Sequence, residues 1–139
     1  MSPTKQSAGF TAEEKAAMRA RAKELKLAEE GEAAIAAALK KMTPADRALG
    51  EQIHALVTKT APDLTPKTWY GMPAYANKDG KVVCYFKNAG KFKMRYSELG
   101  FNDSAKLDDG SMWPIVYAVT KLTKADEARV VELVKQAVS

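Results

Sequence analysis

The chain has 139 residues, enough for one domain that buries roughly two thirds of its unfolded surface, and its 46% hydrophobic and 28% charged content is that of an ordinary folded protein. The single cysteine, Cys84, excludes an intramolecular disulfide, and with His54 the only histidine, no structural zinc site of the usual ligands can be assembled. A net charge of +5 and a pI near 9.3 favour attraction to phosphates or acidic surfaces, yet basic residues must cluster before they imply nucleic acid.

Residues 1–10 mix Ser, Pro, Thr, Gln and Gly and are expected to form a flexible tail without the apolar core of a secretory signal. No window approaches the ~20 apolar residues of a membrane span, so the expected location is the cytoplasm and no membrane partner is expected. Thr11-Ala12-Glu13-Glu14 reads as a capping box that opens a helix, with Gly31 as its stop. Its apolar stripe, Met18, Ala22 and Leu25, is thin, so residues 11–31 are expected to form a peripheral helix or a handle for a partner. A single α+β domain is expected over residues 32–139. It starts with a second helix whose residues Ile35, Ala38, Leu39 and Met42 recur at core-facing spacing. Thr43 then caps a third helix, with Pro44 at its first position, Asp46 in its first turn and the stripe Leu49, Ile53, Leu56, Val57 turned to a core. Pro62 and Pro66 close it.

Strands are expected at Lys81–Lys87 and Lys91–Ser97, joined by Asn88-Ala89-Gly90 as a three-residue loop. That register opposes Phe86 with Phe92, Cys84 with Met94 and Val82 with Tyr96 on one apolar face. The reverse face then carries Lys81, Val83, Tyr85, Lys87, Lys91, Lys93, Arg95 and Ser97. Trp113–Thr120 is a further strand, with Pro114 tolerable at its start. Thr123 caps a last helix with the stripe Val130, Leu133, Val134, Ala137 and Val138. The order gives an α+β fold: N-terminal helices, an antiparallel sheet with a central hairpin, and a C-terminal helix packed on the sheet.

The run Thr68-Trp69-Tyr70-Gly71-Met72-Pro73-Ala74-Tyr75, followed by Lys81–Lys87, resembles the YdhG-like family, the domain of unknown function 1801. The likeness extends from about Ile35 to the carboxyl end through PADRALGEQIHALV, GKVVCYF, LDDG and the last helix. The resemblance implies a compact α+β domain, and some relatives carry the label of frataxin-like iron chaperones. It brings no catalytic residues with it.

Four groups of residues are candidates for chemistry. Trp69, Tyr70, Tyr75, Trp113 and Tyr117 suit an amphipathic ligand, with core packing around a stiff Gly71-Met72-Pro73 corner, in which Met72-Pro73 is a candidate for a cis bond, as the other explanation. Tyr85 among Lys81, Lys87, Lys91, Lys93 and Arg95 suits phosphates, and a solvated anti-aggregation face explains the same residues. Asp103, Asp108 and Asp109 are the available hard-metal ligands for iron, and Asp108-Asp109-Gly110 is also turn chemistry. Cys84 is placed as a core thiol, and nothing brings His54 to it as a catalytic pair. The expected function is a non-enzymatic cytoplasmic module that holds a small anionic ligand or a protein partner through Trp69, Tyr70, Met72, Tyr75, Tyr85, Lys93, Arg95 and Trp113. The alternative is an iron chaperone built on the three aspartates. No cofactor other than iron is expected, and nucleic acid is the lesser alternative among partners.

Overall fold

The computed structural model describes residues 9–139, so the expected tail lies outside the described residues as far as residue 8. The first helix, α1, runs over Ala12–Lys40 without a break. Its capping box forms as read: Thr11 Oγ1 accepts from the Glu14 amide at 3.0 Å, and Glu14 Oε1 accepts from the Thr11 amide at 2.7 Å. Gly31 does not end the helix but lies buried in its middle, where a Cβ would come within 2.6 Å of the Pro66 carbonyl carbon and closer still to its oxygen. Glycine is therefore required for the close approach of helix to strand. The two expected helices are one, and their boundary was a packing site.

The second helix, α2, spans Pro44–Thr60 and is capped by Thr43, whose Oγ1 accepts from the Asp46 amide at 3.3 Å. Arg47 holds the sharp α1–α2 corner: its guanidinium donates to the carbonyls of Leu39, Lys40 and Met42 at 3.2, 3.1 and 3.4 Å. These carbonyls cluster at the C-terminus of α1, where a cation is also favoured by the helix dipole.

Five strands follow, β1 (Thr65–Trp69), β2 (Met72–Ala76), β3 (Val82–Lys87), β4 (Ser97–Phe101) and β5 (Val116–Val119), with the one-turn helix α3 (Ala89–Phe92) between β3 and β4. They form one antiparallel sheet in the order β1-β2-β3-β4-β5. The last helix, α4 (Lys124–Val138), opens on a capping box between Thr123 and Asp126, and those hydrogen bonds hold the exposed Asp126 carboxyl below its ordinary range. Gln52 ties α2 to α4 by donating to Leu122 O at 3.1 Å and Glu127 Oε2 at 2.7 Å.

One face of the sheet makes the core with the helices. Tyr75, Cys84, Phe86, Leu99, Phe101 and Val119 cluster with Ile35 and Leu39 of α1, Leu49, Ile53 and Val57 of α2, and Val130, Val134 and Ala137 of α4. The expected α+β architecture stands. The expected hairpin register does not: β3 pairs with β4, setting Cys84 opposite Phe101, Phe86 opposite Leu99 and Lys87 opposite Glu98. Residues 88–96 leave the sheet, first as α3 and then through Lys93 in the left-handed region at φ 53°. Val83, not Val82, joins the core, because the pairing steps from Tyr75↔Cys84 to Ala76↔Val82 and leaves Val83 as the extra residue of a bulge. All peptide bonds among the described residues are trans, Met72-Pro73 included.

Candidate functional site

The Trp69–Tyr75 run is a hairpin. Trp69 pairs with Met72 across a two-residue turn in which both Tyr70 (φ 52°) and Gly71 (φ 76°) take positive φ, the primed turn geometry that matches strand twist. Pro73 lies one residue beyond the β2–β3 ladder, which begins at Ala74↔Tyr85, so its missing N–H breaks no pairing there. Strand alternation then divides the predicted aromatics between two faces. Trp69 and Tyr85 stand on the face away from the core, with ring centroids 5.3 Å apart, and Tyr70 packs edge-on to Trp69 at 5.0 Å. Met72 is buried between β1 and β3 on that same side. The Tyr85 ring lies across Gly100, whose Cβ would fall 2.5 Å or less from two ring carbons and the phenol oxygen. Burial, and secondarily Glu98, raises the Tyr85 phenol, so it stays neutral at physiological pH.

Tyr75 lies on the other face, fully enclosed in the core. Its hydroxyl is 2.7 Å from His54 Nδ1, and His54 Nε2 is 2.7 Å from Glu32 Oε1. A carboxylate only accepts, so Nε2 carries a proton, and Nδ1 accepts from the tyrosine hydroxyl when the ring is neutral and donates to it when the ring is charged. This Glu32–His54–Tyr75 chain joins α1, α2 and β2. It has the donor order of a catalytic relay, but its terminal hydroxyl is buried in the core and lines neither of the two grooves described below. Burial pushes the Tyr75 phenol far above its ordinary value, with smaller contributions from Cys84 and Glu32. Cys84, opposite Tyr75, is buried with its thiol pushed up to about 12 by desolvation, so it is inert as a nucleophile.

The remaining predicted residues are scattered. Trp113 packs half-buried against the core, as does Tyr117, which meets Phe101 edge-to-face at 6.2 Å. Lys93 and Arg95 are exposed on the excursion between β3 and β4, not on the sheet, and Arg95 stacks on Tyr96 at 5.0 Å. Among the described residues, no three His, Cys, Asp or Glu side chains are gathered to hold a metal ion, so Asp103, Asp108 and Asp109 do not converge.

The excursion instead builds a concave site. Asp46, at the start of α2, accepts from the Gly90 amide at 2.8 Å and from Asn88 Nδ2 at 3.4 Å, and Ser97 Oγ accepts from the Ala89 amide at 3.0 Å. These bonds pin α3 beside the Tyr70–Gly71 turn, where Lys91 Nζ donates to Tyr70 O at 3.3 Å. Between them and the last turns of α1 opens a groove of about 630 Å3. Its wall on α1 is Ala34, Ala37, Ala38 and Lys41, a stripe at helical spacing beside the core stripe. Met42, Thr43, Thr68, Gly71, Asn88, Gly90 and Lys91 complete the lining. Alanines leave the space that larger side chains would fill. The two charged lining residues, Lys41 and Lys91, are both cations, and burying a like-sized anion between them and an apolar wall is favourable. A second cavity of about 390 Å3, at the other end of the sheet, mixes the two signs, with Asp63 beside Lys78 and Lys106 in its lining.

Sequence reading missed Lys41 and the alanine wall. The signal available was the repeat Ala34, Ala37, Ala38, Lys41, whose spacing marks a second helix face too small to be core. Comparison of the chain with protein-family models, with curated proteins and with solved structures finds no match in any of the three.

Proposed function

We propose that the protein is a non-enzymatic cytoplasmic binding module whose ligand is a small amphipathic anion, seated in the groove between α1, the Tyr70–Gly71 turn and α3. The reading rests on one observation: a cleft of ligand size, walled by Ala34, Ala37 and Ala38, in which Lys41 and Lys91 are the only charged lining groups among the described residues. The apolar body of the ligand lies along the alanines, and its carboxylate or phosphate head takes the two ammonium groups with Thr43, Thr68 and Asn88 at hydrogen-bonding positions in the lining. The Trp69–Tyr85 pair stands on the opposite side of the turn and supports it. Membership of the YdhG-like family belongs to the same proposal and is carried by the Trp69–Tyr75 run.

Titration with decyl phosphate, followed by amide shifts, tests the assignment against decanol as a probe without the head group. Saturable shifts at residues 34–43, 68–71 and 88–91 are expected with the phosphate. Lys41→Glu with Lys91→Glu should weaken it about tenfold or more. Equal affinity in the double variant, or shifts centred on Met72 and Tyr85 with residues 34–43 unmoved, would overturn the assignment.

A further inference from the structure

The open edge of the sheet carries a surface made to pair with itself. β5 is bonded on one side only, and the phase of that bonding is fixed: Phe101 N donates to Ile115 O at 2.8 Å, and Leu99 opposes Tyr117. Ile115, Tyr117 and Val119 therefore turn their backbone groups towards β4, and Val116 and Ala118 turn theirs outward. Natural sheets protect such an edge with charge, proline or a short strand, and β5 is four residues long and closely follows Pro114. Here the ten residues Ser111–Thr120 contain no charged side chain, and Met112, Ile115 and Val116 are 86%, 46% and 44% exposed.

Charge flanks this segment with opposite sign at its two ends. Asp108 and Asp109 precede it and Lys121 and Lys124 follow it, all four exposed and none in an ion pair within 4.0 Å among the described residues, whereas the next carboxylates, Asp126 and Glu127, already accept from the Thr123 amide and from Gln52 Nε2. An order of acid, uncharged strand, base is self-complementary in one arrangement only. Antiparallel pairing of two copies sets each acidic flank against the other copy's basic flank, whereas parallel pairing sets like against like.

From this the geometry points to a two-fold homodimer formed by antiparallel addition of β5 to β5 of a second copy, joining two five-stranded sheets into one. A register centred on Tyr117 sets Val116 of one copy opposite Ala118 of the other, so that the outward N–H and C=O groups of both residues are satisfied in both copies. The symmetry forms each contact twice, as an isologous interface requires. It also removes the apolar edge from water.

Sedimentation equilibrium over a range of concentrations reads the dimer directly. The purified chain should sediment as a dimer that dissociates on dilution. Ala118→Pro removes an outward N–H that β4 does not use, so the fold should persist by circular dichroism while the dissociation constant rises about tenfold or more. Asp108→Lys with Asp109→Lys should weaken the dimer, as should Lys121→Asp with Lys124→Asp, and the four changes combined in one chain should restore it. A chain monomeric at millimolar concentration, or a dimer indifferent to Ala118→Pro and to both charge reversals, would overturn the inference.

Discussion

Replacing Gly31 by alanine sets two effects of opposite sign against each other, and their sizes decide the outcome. In the interior of α1 the change gains about 1 kcal/mol of helix propensity, since glycine gives up more backbone freedom than alanine. Against that, the new Cβ falls 2.6 Å from the Pro66 carbonyl carbon and nearer to its oxygen, both backbone atoms that cannot rotate away. Relief requires α1 to withdraw from β1 by on the order of 1 Å, a gap that forfeits up to about half of the dispersion energy at the contact. Ile35 and Leu39, both buried, sit on the same helix just beyond. Overpacking of this kind costs about 3 kcal/mol, so a net loss of about 2 kcal/mol is expected. Urea denaturation should show a lower midpoint at unchanged slope, and the melting temperature should fall by about 6 °C. Ala36→Gly, exposed on the same helix, is the control and should lose only about 1 kcal/mol. A Gly31→Ala protein as stable as its parent would refute the close approach of helix to strand.

The Glu32–His54–Tyr75 chain predicts coupling. His54→Leu strands the buried Tyr75 hydroxyl and should cost about 1–3 kcal/mol, while adding Tyr75→Phe should recover about 1 kcal/mol; strict additivity in the cycle would sever the proposed bond. Tyr75 and Cys84 also set an alkaline limit, because both keep protons in the folded state that the unfolded chain releases. Their contribution is whole below about pH 9, the ordinary thiol value, and is lost as pH rises towards the folded value of Cys84 at about 12, at up to about 1.4 kcal/mol per pH unit per group. Urea midpoints measured from pH 8 to 11 should fall, and more gently in Cys84→Ala; a flat profile would contradict the burial of both groups.

Local chemistry was legible in the sequence and distant contacts were not. Thr11, Thr43 and Thr123 announce three helix starts because a cap is made within four residues, and all three bond as read. Gly31 misleads because a glycine that ends a helix and one that lets a strand approach look alike in one dimension. The alternation Phe92, Met94, Tyr96 imitates a strand, but Asp46, more than forty positions away, holds Gly90 in a helical turn, and the ladder resumes at Ser97. Of the predicted site residues, Trp69, Tyr70 and Tyr85 do meet, since Trp69 and Tyr70 are neighbours and β2 alone separates β1 from β3. Tyr75 was on the wrong side of the sheet for them by the parity of one residue. The groove was hidden because its walls come from three separated stretches, 34–43, 68–71 and 88–91.

The strand order β1-β2-β3-β4-β5 has a consequence for how the chain is made. Every strand pairs with the one synthesised just before it, so the sheet can be laid down in sequence as the polypeptide leaves the ribosome, beginning at the two-residue Tyr70–Gly71 turn. The core beneath it cannot close on the same schedule. Val130, Val134 and Ala137 come from the last fifteen-residue helix, which must emerge entirely before it can cover Phe86, Phe101 and their neighbours. A nascent chain thus holds a finished sheet over an unfinished interior until Lys124–Val138 has emerged, and in that interval apolar side chains of the sheet lack part of their cover.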